Sequence, residues 1–326
     1  MRHSPNLRAG VWLALGGGLL ALLAPVLASE PPLLVREPAG ICSPALGDLP
    51  AMSWARCKGS APREWSRLTE SEGAAVLLRA PIPYGPEQTD LDAVLLPPGR
   101  SHLLGTDSLG RDVLSRVLHG FPLALIVGGL ATALSLGVGV SLGACAGLAG
   151  RWTDLVLSRL FDLMACFPTL ILALALAAAA TRPGVASLVL AIGLTRWTGI
   201  ARFFRGEVLR QRSQLYCEAA RSAGAGIGRL LFSHLIPNAL APLLVTAAFS
   251  ASHAILLEAG MSFLGVGIPP GTASWGGILA EAQRQVSPAW WLVAFPSLAI
   301  FLTVLGCNLL AEGLQEASDP RLSRMG

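Results

Sequence analysis

The chain alternates long uncharged runs with short polar stretches, and several runs are longer than the helices of a soluble domain need. Residues 11–28 and 121–150 contain no charged side chain, and about 20 apolar residues suffice for a helix to cross a bilayer. Residues 163–180, 183–204, 239–257 and 289–311 predict further spans, six in all. Pro168 predicts a kink near the start of the third, and residues 151–159 before it read as a short loop holding Arg151 and Arg159. Arg196 interrupts the fourth; an arginine at that depth is costly, so it is expected to snorkel toward the nearer membrane face or to line a pathway. In the second run Gly139, Gly143 and Gly147 recur every four residues, the spacing that lets two membrane helices approach backbone to backbone.

Composition agrees with this pattern. A mean hydropathy of +0.59, with 53% hydrophobic and 13% charged residues, places the chain in a bilayer. The net charge of +4 rests on arginine, Lys58 being the only lysine, so no polybasic surface points to nucleic acid. The arginines fall unevenly. Arg2 and Arg8, then Arg151 and Arg159, then six between 202 and 229, then Arg321 and Arg324 lie on one side of a six-span arrangement, while its two shorter loops on the other side hold only Arg182 and Arg284. The excess marks the cytoplasmic side, with both termini inside. Residues 11–28 also resemble a secretory signal, with small residues near Ala28 where a peptidase would cut; retained or cleaved, this run exports the segment after it. Residues 30–116 then form an external loop or cap, proline-rich and with no helical period beyond patches such as 64–79. Cys42 and Cys57 share that oxidising compartment, so they are expected to pair, two free thiols being the alternative.

The polar stretch 205–238 is the one part of the chain built for display rather than burial. Good helix formers and no proline predict a helix over 209–223, with Gly224, Gly226 and Gly228 breaking it and Pro237 stopping the short helix beyond them. Ala219, Ala220 and Ala223 keep one surface low enough for another backbone to approach, and Glu218 and Arg221 are spaced as an i,i+3 pair.

Glu218-Ala219-Ala220, followed by Gly224 and Ile236-Pro237-Asn238, resembles the EAA loop of membrane subunits of binding-protein-dependent ABC importers. In that family the loop forms a short coupling helix seated in a cleft of a cytoplasmic ATPase. Gly105, Thr106, Asp107, Gly110, Arg111 and Asp112 form a GTD-x-x-GRD string similar to the one before the second membrane helix of dipeptide, oligopeptide and nickel permeases. Asp107 or Ser108 is expected to cap a short amphipathic helix presenting Val113, Leu114 and Val117 to the membrane surface. The string SFLG at 262–265 and Ser274-Trp275-Gly276 resemble the family's external loop, with Ala273 where the family has proline. The resemblance implies an all-α, six-helix type I importer permease in a bacterial inner membrane. It divides the chain into residues 1–29, 30–116 and 117–326. It implies a homologous second permease, two ATPase subunits, an external solute-binding protein, and peptides or another small solute such as nickel as cargo.

No G-x-x-x-x-G-K-[ST] loop is present, so ATP hydrolysis falls to a partner. No metal-ligand spacing, nucleophile elbow or cofactor motif occurs, and neither a catalytic residue nor a cofactor is expected. Glu258, the one acid near the outer end of a span, reads equally as a pathway contact or gate and as an interfacial acid. A carrier driven by ions instead of ATP calls for intramembrane acids and inverted repeats; neither stands out.

Overall fold

The computed structural model describes residues 5–37, 40–47, 75–269, 272–283 and 289–318. Helix α1 (Pro5–Leu27) opens on a proline, whose missing N–H costs nothing at a helix start. A three-stranded antiparallel sheet comes next, with β1 (Leu34–Glu37) between β2 (Gly40–Cys42) and β3 (Ala75–Leu78). The later helices are α2 (Val113–Leu148), α3 (Arg151–Ala165), α4 (Thr169–Ala178), α5 (Val185–Gln211), α6 (Leu215–Ser222), α7 (Ile227–Phe263), α8 (Trp275–Ala282) and α9 (Trp291–Ser318). Helices α1, α2, α7 and α9 are long and apolar enough to cross a membrane, and α3 with α4 makes a fifth candidate, bent by 86°. Helix α5 carries Arg196, Arg202, Arg205, Glu207 and Arg210 and is not among them.

The chain packs as two units, and α1, α2 and α9 contribute to both. One unit comprises Met1–Leu15, Ile126–Pro269 and Phe301–Gly326. Its centre is the glycine stripe of α2 against α5. A Cβ on Gly139, Gly143 or Gly147 would lie 2.7 Å from Ile200, 2.6 Å from the Ala201 carbonyl and 2.5 Å from Val208, respectively. Ser135 donates to the Gly193 carbonyl at 2.9 Å in the same seam. On another face of α5, Phe161 and Trp197 meet edge to face with ring centres 5.7 Å apart. In this unit the start of α1 runs antiparallel to the end of α9: Leu7 sits against Gly313, the Leu310 backbone against Gly10, and Leu13 against Gly306. Asn6 donates to Glu316 at 3.1 Å.

The other unit comprises Gly16–Leu125 and Pro270–Ile300. The end of α1 packs with the start of α2 through Ala24, Ala28 and Leu118, with Ile82 laid across them. The Ile82 N–H donates to Leu27 and its carbonyl accepts from Ser29, so one strand-like residue ties the segment after β3 to the end of α1.

Four local expectations are corrected. The fold is mostly helical rather than all-α, because the short apolar runs around Val35, Ile41 and Val76 pair as strands; runs of three or four residues carry no readable period. Residues 151–159 are the first part of α3, not a loop: Leu157, Phe161 and Met164 recur at helical spacing and pack in one cluster, with Phe161 buried. The expected helix over 209–223 is divided, because α5 continues to Gln211 and α6 begins only at Leu215. Pro237 does not end the next helix. A π-helical turn at Leu231–Leu235, in which the Ile236 N–H reaches back to the Leu231 carbonyl, precedes it and absorbs the hydrogen bond that proline cannot make.

Candidate functional site

The polar stretch folds into a short exposed helix hung between two long ones. After α5 ends, Arg212 donates to the Gly147 carbonyl at 3.0 Å, which fixes the exit from the helix against the end of α2. Tyr216 donates to Gln211 at 2.8 Å, and Gln211 donates to Glu207 at 2.7 Å, so a polar string crosses the break between α5 and α6. Helix α6 has one buried residue, Cys217, which joins Phe204 and Val208 of α5 and Leu230, Leu235, Ala239 and Leu243 of α7 in one apolar cluster. Its far side faces outward: Glu218, Ala219 and Arg221 are exposed and Ala220 is half-buried. Glu218 and Arg221 form no ion pair with each other; both are free to meet another molecule.

The helix ends in a Schellman motif. Ala225 N–H donates to the Ala220 carbonyl at 3.0 Å and Gly224 N–H to Arg221 at 2.9 Å, while Gly224 adopts φ +85°. Only glycine takes that conformation without strain. The space around Gly224 is open, since a Cβ there would meet nothing within 4 Å; the requirement is conformational, not steric. The SFLG string closes α7 by the same device, with Val266 N–H on Met261 and Gly265 N–H on Ser262. Ser274, next to buried Ala273, caps α8 through the Gly277 N–H at 3.0 Å, so the absent proline does not spoil the turn.

The GTD-x-x-GRD string builds something else, a buried ion cluster. Asp107 Oδ1 accepts the backbone N–H groups of Leu109 at 2.8 Å and Arg111 at 3.0 Å. Its Oδ2 accepts Arg111 Nε at 2.7 Å and Arg116 at 2.5 Å. Glu281 of α8 takes the remaining arginine donors, from Arg111 at 2.8 Å and from Arg116 at 2.7 and 3.0 Å. Burial works against the charge on Arg111, but Asp107 and Glu281 beside it more than offset this and its pKa is raised. Thr106 lies beneath, accepting from Leu96 N–H at 2.8 Å and, through its carbonyl, from Trp291 at 3.0 Å. Gly110 is forced by crowding: at φ +72°, a Cβ there would fall 1.6 Å from the Asp90 carbonyl oxygen. The cap of α2 is Asp112, which accepts from Ser115 N–H at 2.8 Å and holds His102 at 2.9 Å on its other oxygen. This corrects the cap expected at Asp107 or Ser108. It also corrects the separate amphipathic helix: Val113 and Val117 are buried in the first turns of α2.

The remaining sequence candidates are not brought together. Glu258 is buried, 1% exposed, and accepts from Ser262 at 2.7 Å. Arg196 is half-buried, its Nε has no hydrogen-bond partner, and no ion pair links it to Glu258. Cys42 is disulfide-bonded, and its expected partner Cys57 lies outside the described residues. Sequence reading missed Arg116 and Glu281, and it assigned no anchoring role to Cys217 or to the indoles of Trp275 and Trp291. An acid in the otherwise uncharged stretch 275–282 was the one available signal for Glu281.

Residues 139–324 match the family of binding-protein-dependent transport system inner membrane components. The chain is 42% identical over 246 residues to a di/tripeptide transport system permease protein of Pseudomonas aeruginosa, covering 74% of this chain and 81% of that one. It is 41% identical over 244 residues to a putative peptide transport system permease protein of Brucella abortus, with 74% and 81% covered. A putative peptide permease protein of Brucella suis is 40% identical, with 74% and 80% covered.

The chain belongs to the binding-protein-dependent permeases. In this permease α6 is exposed, tethered at Cys217 and closed by Gly224.

Proposed function

We propose that this permease is one half of the translocation pathway of an ATP-driven peptide importer, and that residues 205–238 couple it to a cytoplasmic ATPase. Its similarity to permeases named for peptides and dipeptides supports the cargo. The observation that carries the coupling role is α6 itself, an eight-residue helix with exposed Glu218, Ala219 and Arg221 on one side and a single buried residue on the other. Such a helix is too short to be stable alone. It is held by the spans on either side, so a push on it is a push on α5 and α7.

Six spans are part of the proposal. The antiparallel contact of α1 with α9 supports both ends of the chain on one membrane face, which requires an even number of crossings. Helices α1, α2, α7 and α9 with the bent pair α3–α4 give five, and α5 supplies the sixth, its arginines gathered toward the cytoplasmic end. Asp154 pairs with Arg205 at 2.7 Å and Asp162 with Arg202 at 3.0 Å, which lowers the cost of those charges. Residues 1–29, 30–116 and 117–326 then serve as entry helix, external cap and permease core. The complex holds a second, homologous permease, two ATPases and an external solute-binding protein. ATP binding draws the coupling helices together and turns the pathway outward; hydrolysis resets it.

Purification of the chain in mild detergent should bring down an ATPase. In the reconstituted complex, Gly224→Val or Glu218→Lys should leave insertion intact and abolish peptide-stimulated ATP hydrolysis. Normal stimulation in a well-expressed Gly224→Val complex removes the coupling role.

A further inference from the structure

The ion cluster at the start of α2 takes no part in the coupling element, yet Asp107 and Arg116 in it are 0% and 1% exposed. We propose that Glu281 is the positioning residue that pins α8 to the start of α2 and makes the two move as one body during transport. The transport half of this proposal rests on the importer reading above; the pinning itself does not.

Charge balance is the first reason. Arg111 and Arg116 carry two positive charges, Asp107 one negative, and Glu281 completes a neutral set. Asp107 has no capacity left, because both of its oxygens already accept two hydrogen bonds. One donor, Arg116 Nε, is buried without a partner even so. A cluster at that limit has no internal substitute for a lost carboxylate.

Glu281 is also the one member from elsewhere in the chain. Asp107, Arg111 and Arg116 lie within ten residues and are ordered by their own backbone, through Gly110 against Asp90 and Val113 N–H on Gly105. The arginine fork therefore persists without Glu281. The side chain of Glu281 is 29% exposed, against 6%, 2% and 0% for Arg111, Arg116 and Asp107. It is a plug set from the solvent side into a preformed receptor.

Helix α8 needs such a plug. At eight residues it cannot hold itself, and its two ends are fixed to neighbouring turns of α2. Trp275, its first residue, donates to the Val117 carbonyl at 2.9 Å and packs edge to face on Phe121. Glu281, next to its last, grips Arg116. Between the spans α7 and α9, α8 is thereby assigned to α2.

The test uses the whole complex in lipid nanodiscs, read by hydrogen exchange of residues 275–282 and by the ratio of stimulated to basal ATP hydrolysis. Glu281→Ala should raise exchange of α8 while α2 and α9 keep their protection, and should lower the ratio by about tenfold, the scale of an ordinary coupling energy. Free acetate should restore both, because it can enter the vacated arginine fork; Glu281→Gln, whose amide fills the space, should respond to acetate in neither. Wild-type exchange of α8 in Glu281→Ala overturns the pinning. Raised exchange with a normal ratio overturns its link to transport. Should Glu281→Ala fail to fold, the neutral double variant Glu281→Gln with Arg111→Gln keeps the Asp107–Arg116 pair, and protected α8 amides there overturn the proposal equally. A wild-type complex without peptide stimulation would count against the importer reading instead, leaving the exchange arm to decide on Glu281.

Discussion

Cys217 of α6 and Leu235 of α7 lie in one apolar cluster, with 0% and 1% of their surfaces exposed. Helix α6 is thus fastened to the beginning of α7 through one fully buried side chain, with Ala220 packed beside it. Cys217→Ala should be mild, whereas Cys217→Asp, which buries an unpaired charge, should cost about 3 kcal/mol or more. The expected result is a thermal transition lowered in the Asp variant, together with loss of peptide-stimulated hydrolysis. An Asp variant as stable and as well stimulated as the Ala variant would mean that α6 is held by its backbone alone.

Gly110→Ala should destabilise the segment before α2 by at least about 1–3 kcal/mol, the usual range for overpacking. Its methyl group would meet the Asp90 carbonyl at 1.6 Å in a left-handed backbone. Gly99→Ala is the control in the same segment, where the nearest atom, the Pro97 carbonyl oxygen, is 3.7 Å away. Thermal melting of the two variants should separate them clearly, and equal melting would contradict the packing around Asp107.

Within the bilayer the comparison is between Gly143 and Gly137. A side chain at Gly143 would strike the Ala201 carbonyl at 2.6 Å, whereas at Gly137 there is nothing within 4 Å. Gly143→Leu should abolish assembly and transport, and Gly137→Leu should be accepted. Yield of monodisperse complex is the measurement.

A membrane-impermeant thiol reagent checks the orientation. With the four cysteines that are free among the described residues, Cys145, Cys166, Cys217 and Cys307, replaced, a cysteine at exposed Glu87 should label in intact cells, and one at exposed Gln214 only after the membrane is opened. The reverse pattern inverts the topology.

Non-reducing digestion should yield one peptide pair joining Cys42 to Cys57, and a loop of that size contributes about 3 kcal/mol to the folded state. Two separately alkylated peptides would assign Cys42 another partner.

The spans were legible because a bilayer imposes one simple demand, length without charge, that composition meets openly in α1, α2, α7 and α9. The glycine stripe at 139, 143 and 147 was legible for a similar reason: four-residue spacing has one use in a membrane helix. The ion cluster was not. Asp107, Arg111 and Arg116 are local, but their fourth member arrives from 165 residues away, and nothing in a local pattern says which acid will come. Helix α3 hid because its charges, taken one by one, looked like a loop, while its apolar face is only visible at helical period. Pro237 misled because its effect is absorbed upstream, in the turn that precedes it.

The π-helical stretch Leu231–Leu235 acts on α7 as a one-base insertion acts on a reading frame: every position beyond it is rotated by about 100°, one residue's share of a helical turn. Forcing that stretch into plain α-helix with every residue kept would leave the span as apolar as before, yet turn Glu258 and Ser262, now buried together, away from the interior and onto another flank; deleting one residue along with it would hold them where they are.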